Sequence, residues 1–313
     1  MSDAPGLAFV ETKPYRLFRE FCDACRRDRY IGLCYGPPGV GKTLSARHYT
    51  DWDRVEPADP YTGRGAFRPG EVPGNGSVFY TATVVNSPGQ IERDIAALRG
   101  KMTELVLQRL RGEEESRIAA ARRRLEREQA HHRNQGHRFA GKAKQLRRAE
   151  TALSRAVLGH AERRRELGDP TGLIVIDEAD RIKVAGLEQV RDVFDRGGVG
   201  VVLVGMPGLE RWMTRYPQLY SRIGFVHAFR ALTAEEVREL LGQRWRPPGV
   251  SLPEDLLRDV EGVAALIRVT GGNFRLLHRL LAQVGRILEI NGLGVVTREV
   301  VEAAREVLVI GAA

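Results

Sequence analysis

Eight consecutive residues, Gly36-Pro37-Pro38-Gly39-Val40-Gly41-Lys42-Thr43, match the pattern G-x-x-x-x-G-K-S/T in full. These residue types at this spacing suit the gripping of a polyphosphate. The glycines let backbone N–H groups curl around a phosphate where a side chain would collide. A helix starting at Lys42 turns its partial positive charge toward the same anion. Lys42 supplies a mobile cation for the β- and γ-phosphates, and the Thr43 hydroxyl is a ligand for the accompanying Mg2+. Gly36 through Leu44 is therefore the candidate ATP-binding segment. A second string, Leu173-Ile174-Val175-Ile176-Asp177-Glu178, is an apolar run ending in two acids. It reads as a buried strand whose carboxylates stand at the C-terminal edge, where parallel sheets bind ligands. Asp177 is expected to join the Mg2+ shell and Glu178 to polarise an attacking water.

The elements that must hold these groups can be read on either side. Thr12 and Pro14 suit the start of a helix over 12–29, in which Tyr15, Phe18, Phe21, Cys22 and Cys25 recur at helical spacing. Tyr30 to Tyr35 reads as a buried strand leading into the glycine-rich turn, and Lys42 to Tyr49 as the helix after it. Residues 53–76 hold four prolines and five glycines, which predicts a long loop. Further strands are expected at Ser77–Val85, Leu173–Ile176, Val201–Val204 and Phe225–Phe229, with helices between them. That alternation predicts an α/β fold with a parallel sheet covered on both faces. From Leu232 onward the pattern is helical throughout. The expected domains are 1–230, nucleotide-binding, and 231–313, a helical lid.

The 313 residues are 42% hydrophobic and 28% charged, enough for a packed core and a solvated surface. No apolar run approaches the ~18 residues of a membrane span, and the first ten residues lack a secretory pattern. With three cysteines the chain reads as cytoplasmic. Its net charge of +9 is localised. Residues 101–168 hold 18 Lys and Arg against 9 Asp and Glu, and the rest of the chain is balanced. A concentrated basic element is the usual footprint of a polyanion partner. The segment reads as a helical hairpin inserted into the α/β domain, broken near Gly136. A weak heptad seam through Phe139, Leu146, Leu153 and His160 suggests a coiled coil. Arg122, Arg123, Arg124, Arg147, Arg148, Arg163, Arg164 and Arg165 could neutralise nucleic-acid phosphates. They could equally be solvated, or face a protein partner.

The phosphate loop, the acidic strand end and the helical C-terminus come in the order of the AAA+ ATPases, which the chain resembles over roughly residues 10–310. The resemblance implies a P-loop NTPase fold and hydrolysis of ATP with Mg2+. It places an arginine finger at Arg222, within Gln218-Leu219-Tyr220-Ser221-Arg222-Ile223-Gly224, reaching the nucleotide of a neighbouring subunit. Gly271-Gly272-Asn273-Phe274-Arg275 resembles the sensor 2 motif, with Arg275 contacting nucleotide from the lid. One departure stands out: Val204-Gly205-Met206-Pro207-Gly208 lacks the polar sensor 1 residue usual after the fourth strand, which suggests slow hydrolysis. The stretches Arg29 to Thr43, Val202 to Leu209 and Arg215 to Arg222 resemble the transposition-regulator branch: phage Mu transposition protein B, TniB and TnsC. That likeness implies ATP-dependent assembly on duplex DNA as rings or filaments and delivery of a target site to a transposase. Arg93 and Lys101, after the second strand, are the corresponding DNA-contact candidates.

Other readings compete. An initiator or helicase loader would share this ATPase core. A protein-remodelling or signalling ATPase would use the hairpin to bind a protein, but no aromatic pore loop is evident in Thr83 to Gly89. Asp177-Glu178-Ala179-Asp180 spells a DEAD-box signature without a second RecA-like domain after it. Cys22 and Cys25 share a helix face and read as packing rather than a zinc pair. His131, His132, His137 and His160 are scattered and have no acidic partners at ligand spacing.

Overall fold

The computed structural model describes residues 9–60, 67, 73–134, 147–154, 162, 165–243, 245, 247 and 250–308. The first helix, α1 (Lys13–Asp28), starts where Thr12 Oγ1 accepts the Tyr15 N–H at 3.3 Å and buries Tyr15, Phe18, Phe21, Cys22 and Cys25 on one face. Strand β1 (Ile31–Tyr35) follows, then the glycine-rich turn and α2 (Lys42–Tyr49). Strands β2 (Ser77–Thr81), β3 (Leu173–Asp177), β4 (Gly200–Gly205) and β5 (Ile223–Ala228) complete a five-stranded sheet in the order β2-β3-β4-β1-β5.

β1 lies between β4 and β5, parallel to both, with Cys34 opposite Val204 on one side and His227 on the other. β3 runs parallel to β4, Ile176 opposite Leu203. Burial explains the apolar runs. β3 and β4 are buried at every position, as strands covered on both faces must be, whereas edge strand β5 alternates between half-buried and exposed. The architecture is that of an AAA+ P-loop NTPase: a parallel five-stranded sheet flanked by helices.

The chain divides into two compact units. One comprises residues 1–49, 79–91 and 173–313, and the other 50–78 and 92–172. The first unit holds the sheet from Phe79 onward and the C-terminal helices. Those helices, Ala234–Gly242, Val260–Thr270, Phe274–Asn291 and Arg298–Glu306, close on their own core around Leu240, Trp245, Leu266, Leu277, Leu281 and Val301. Each large apolar side chain so buried stabilises the fold by about 1.5–3 kcal/mol. Their N-termini are capped as the sequence invites. Thr233 and Glu236 form a reciprocal capping box, and Asp259, Asn273 and Thr297 each accept a first-turn N–H.

One expectation needs correcting. The loop predicted over 53–76 overlaps a short helix, α3 (Trp52–Val55), which buries Trp52 and Val55, while Pro73–Gly76 is a turn in which Gly74 and Asn75 are both left-handed, φ 51 and ψ 27. Prolines and glycines hid the apolar pair at i, i+3. The basic segment continues the helix that starts upstream of it. α4 runs unbroken from Pro88 to Asn134, 47 residues. Gly100 is carried through, since one interior glycine costs only about 1 kcal/mol against alanine. Residues 147–154 are helical again, with Ala149 buried. The expected break at Gly136 and the seam positions Phe139, Leu146 and His160 lie outside the described residues, as do Arg163, Arg164, His137 and the side chains of His131 and His132.

Candidate functional site

The C-terminal ends of β1, β3 and β4 open onto a cavity of about 430 Å3, walled also by the helix Phe274–Asn291. The phosphate loop forms its floor. Gly41 has φ +105 and Gly39 φ +80, both in the left-handed region that side chains avoid. A Cβ at Gly41 would project into open space rather than into protein, so the loop leaves a cradle there. Gly36 and Val40 anchor the loop from behind. Val40 is buried, and a Cβ on Gly36 would lie 2.1 Å from the Phe229 carbonyl.

Lys42 is buried and donates from Nζ to the carbonyls of Gly36 at 2.6 Å and Pro37 at 2.8 Å. Desolvation lowers its pKa, while Asp177, Glu178 and Asp180 act in the opposite direction. Asp177, also buried, accepts the Thr43 hydroxyl at 2.7 Å on Oδ2 and the Glu178 N–H at 3.0 Å on Oδ1. Desolvation raises its pKa against the pull of those two donors. The Thr43–Asp177 pair offers oxygen donors of the kind that hard divalent cations prefer. A glycine cradle, a buried lysine and a hydroxyl–carboxylate pair at one cavity fit a Mg2+-triphosphate.

Glu178 lines the same cavity in an uncommon backbone state, φ 55 and ψ 39. Left-handed geometry costs a non-glycine residue about 1–2 kcal/mol. It turns the chain sharply from β3 into the 3-10 turn Ala179–Arg181, which leaves Asp177 and Glu178 both facing the cavity. Arg181 lies 3.6 Å from the Glu178 carboxylate.

From the C-terminal helices, Arg275, Phe274 and His278 reach the cavity wall. The Arg275 N–H donates to the Gly39 carbonyl at 2.9 Å, and Asn273 Nδ2 donates to the Pro38 carbonyl at 2.9 Å. The phosphate loop is thus hydrogen-bonded to the capped start of that helix. Sequence reading missed this use of Asn273, and missed Phe274, His278, Arg47, Gly205 and Met206 as lining groups. The helical spacing of Phe274 and His278, four residues apart, was the available signal.

Arg222 does not line this cavity. It stands just before β5 and forms a two-pronged ion pair with Asp195, Nε to Oδ1 at 2.6 Å and Nη2 to Oδ2 at 2.8 Å. That pairing raises its pKa further. The polyanion candidates belong to the second unit. Arg122, Arg123, Arg124, Arg147, Arg148 and Arg165 are exposed there. Lys101 donates from Nζ to the Glu56 carbonyl at 2.6 Å and is partly desolvated, which lowers its pKa. Arg93 lies on α4. Cys22, Cys25 and Cys34 are buried free thiols. Burial pushes Cys25 up to about 12, which keeps it protonated and inert. Among the described residues no cluster of three or more His, Cys, Asp or Glu could hold a metal, and no helix is long and apolar enough to cross a membrane.

The AAA domain family model matches residues 25–213. Over 306 residues, 97% of both chains, the sequence is 36% identical to a Staphylococcus aureus protein named as a potential ATP-binding protein. Over 125 residues, 38% of this chain and 41% of the relative, it is 27% identical to the Mu-like prophage FluMu DNA transposition protein B of Haemophilus influenzae. Among solved structures, Cdc6p from Pyrobaculum aerophilum shares the fold. Its TM-score is 0.53 over all of this chain and 73% of its own, at 15% identity.

Proposed function

The chain belongs to the AAA domain family of ATPases, and from that premise we propose that it is an ATP-switched regulator of transposition that assembles with copies of itself on duplex DNA. Lys42 neutralises the β- and γ-phosphates in the cradle of Gly36 to Leu44. Thr43 and Asp177 would hold Mg2+, which would supply charge shielding for the phosphates. Glu178 accepts a proton from, and so orients, the water that attacks the γ-phosphorus. The bond from that phosphorus to the bridging oxygen breaks, and ADP leaves with inorganic phosphate. Arg275 contacts the nucleotide from the C-terminal helices, and Arg222 of a neighbouring copy supplies charge to the transition state. One observation carries the chemistry: the Thr43–Asp177 hydrogen bond beside buried Lys42, within one cavity.

Two observations support the DNA part of the reading. One is the partial likeness to a DNA transposition protein. The other is a charge excess confined to residues 101–168, with exposed arginines on α4 and on 147–154. Arg122, Arg123, Arg124, Arg93 and Lys101 then serve duplex phosphates without reading sequence. Binding should require ATP and weaken steeply with salt. The slope of log K against log[salt] should be about −0.9 for each phosphate neutralised, measured by fluorescence anisotropy on unrelated duplexes. Equal affinity with and without ATP sinks the switch.

A protein-remodelling role is the second reading. Deleting residues 112–160 separates the two: loss of DNA retention supports the first, and retained DNA binding with a lost protein partner supports the second. Over 82–87, after β2, the exposed large hydrophobic side chains are Val84 and Val85 rather than aromatics, which favours DNA.

Lys42→Ala should reduce ATP affinity by at least 100-fold, since it removes the buried cation facing the phosphates. Isothermal calorimetry measures this. The melting temperature without nucleotide should stay within a few degrees of wild type, because among the described residues the Lys42 ammonium bonds to loop carbonyls, those of Gly36 and Pro37. Undiminished uptake would show that the triphosphate binds elsewhere.

A further inference from the structure

The wall that β4 gives to the nucleotide cavity is bare. The phosphate loop brings Lys42 and Thr43, β3 brings Asp177 and Glu178, and the C-terminal helix brings Arg275 and His278. β4 brings Gly205, without a side chain, and Met206, with an apolar one. A charged group from elsewhere reaches this strand end. Asp180, in the turn after Glu178, accepts the Met206 N–H on Oδ1 at 3.1 Å. Gly205 has to be bare for that contact, since a Cβ there would lie 2.7 Å from the same Oδ1 and 2.9 Å from Leu209 Cδ2. Positions 180 and 205 are therefore sterically matched.

The turn they secure is the one that carries Glu178. Its left-handed backbone is strained, and strain of this kind persists only where neighbours over-determine it. Hydrogen bonds do so from several sides. Glu178 N–H to Asp177 Oδ1, Arg181 N–H to the Glu178 carbonyl and Ile182 N–H to the Ala179 carbonyl lie within the turn. Arg181 Nη1 to the Ala82 carbonyl and Asn86 Nδ2 to the Arg181 carbonyl tie its far end to the segment after β2, and Met206 N–H to Asp180 Oδ1 ties it to β4. We propose that Asp180 is a positioning residue of the nucleotide site, fastening the Glu178 turn to β4 in a notch that Gly205 leaves open. This rests on the nucleotide reading above.

Cutting the tie displaces Glu178 without removing any group that grips the triphosphate, so turnover should fall while binding holds. Asp180→Ala should lower kcat about 10- to 100-fold, the scale of a misplacement near 1 Å. Affinity for a non-hydrolysable ATP analogue, by calorimetry, should stay within about threefold. Gly205→Ala should do the same from the opposite side, by evicting the carboxylate. Asp180→Asn keeps an oxygen for Met206 and should recover kcat to within a few-fold of wild type. Hydrogen exchange at the Met206 amide, read without nucleotide, should accelerate in the two alanine variants and not in Asp180→Asn. If Asp180→Ala does not fold, Gly205→Ala and Asp180→Asn decide the matter. Wild-type kcat in Gly205→Ala, or an Asp180→Asn as slow as a folded Asp180→Ala, overturns the positioning role. A wild-type chain that takes up no ATP overturns the nucleotide reading itself, a failure that calorimetry separates from the first.

Discussion

Glu178→Gln is expected to bind ATP like the wild-type chain and to hydrolyse it about 100- to 10,000-fold more slowly, the range for removing a positioned general base. The side chains are nearly isosteric, so the substitution isolates charge from shape. Asp177, the Thr43 hydroxyl and Lys42 are left in place. The Glu178 backbone contacts, its N–H to Asp177 and its carbonyl to Arg181, do not involve the changed atoms. The left-handed conformation is no worse for glutamine than for glutamate, so the melting temperature should barely move. Single-turnover phosphate release measures the chemical step and calorimetry measures binding. An ATP-stabilised DNA assembly should persist in this variant for as long as ATP stays intact. A normal hydrolysis rate would mean that another group activates the water.

How much of this was legible in the sequence depended on how local each feature is. The phosphate loop needs eight adjacent residues between a strand and a helix, and helix α2 runs from Lys42 to Tyr49 as its pattern says. β3 was legible because four apolar residues leave no other face to expose. The fold class followed from the strand–helix alternation. What escaped reading joins distant positions. Asn273 bonds to Pro38 across 235 residues of sequence, and Asp180 reaches Met206 across 26. Nothing in Asn273 beyond its capping role, or in Asp180 beyond its place after two other acids, announces such partners. The bareness of β4 was visible as a missing polar residue at 205–206, but what occupies the space, the Asp180 carboxylate, comes from the turn after β3. The unbroken length of α4 escaped for the opposite reason. Composition changes near residue 101, whereas backbone hydrogen bonding does not.

Arg222→Ala should leave ATP binding by an isolated subunit unchanged and lower the ATPase rate of the assembled protein about 1,000-fold or more, the effect of an arginine finger. Within one chain Arg222 is held by Asp195 and Gln218 rather than by the nucleotide cavity. On the proposed reading its effect on hydrolysis comes from serving another subunit. Arg222 and Asp195 are both partly exposed, so the pair is within reach of solvent and a polyphosphate can compete for the guanidinium. A mixing experiment separates action across subunits from action within one. Lys42→Ala chains keep Arg222 but cannot hold ATP, and Arg222→Ala chains hold ATP but lack the finger. Each alone should be inactive. Mixed, an Arg222→Ala site beside a Lys42→Ala neighbour regains both halves, and activity should rise with the fraction of such interfaces, passing through a maximum near equal proportions. If the mixture stays as inactive as its components, Arg222 does not act across a subunit boundary. The fall in rate on its removal would then reflect loss of the Asp195 contact, and Asp195→Ala should reproduce it.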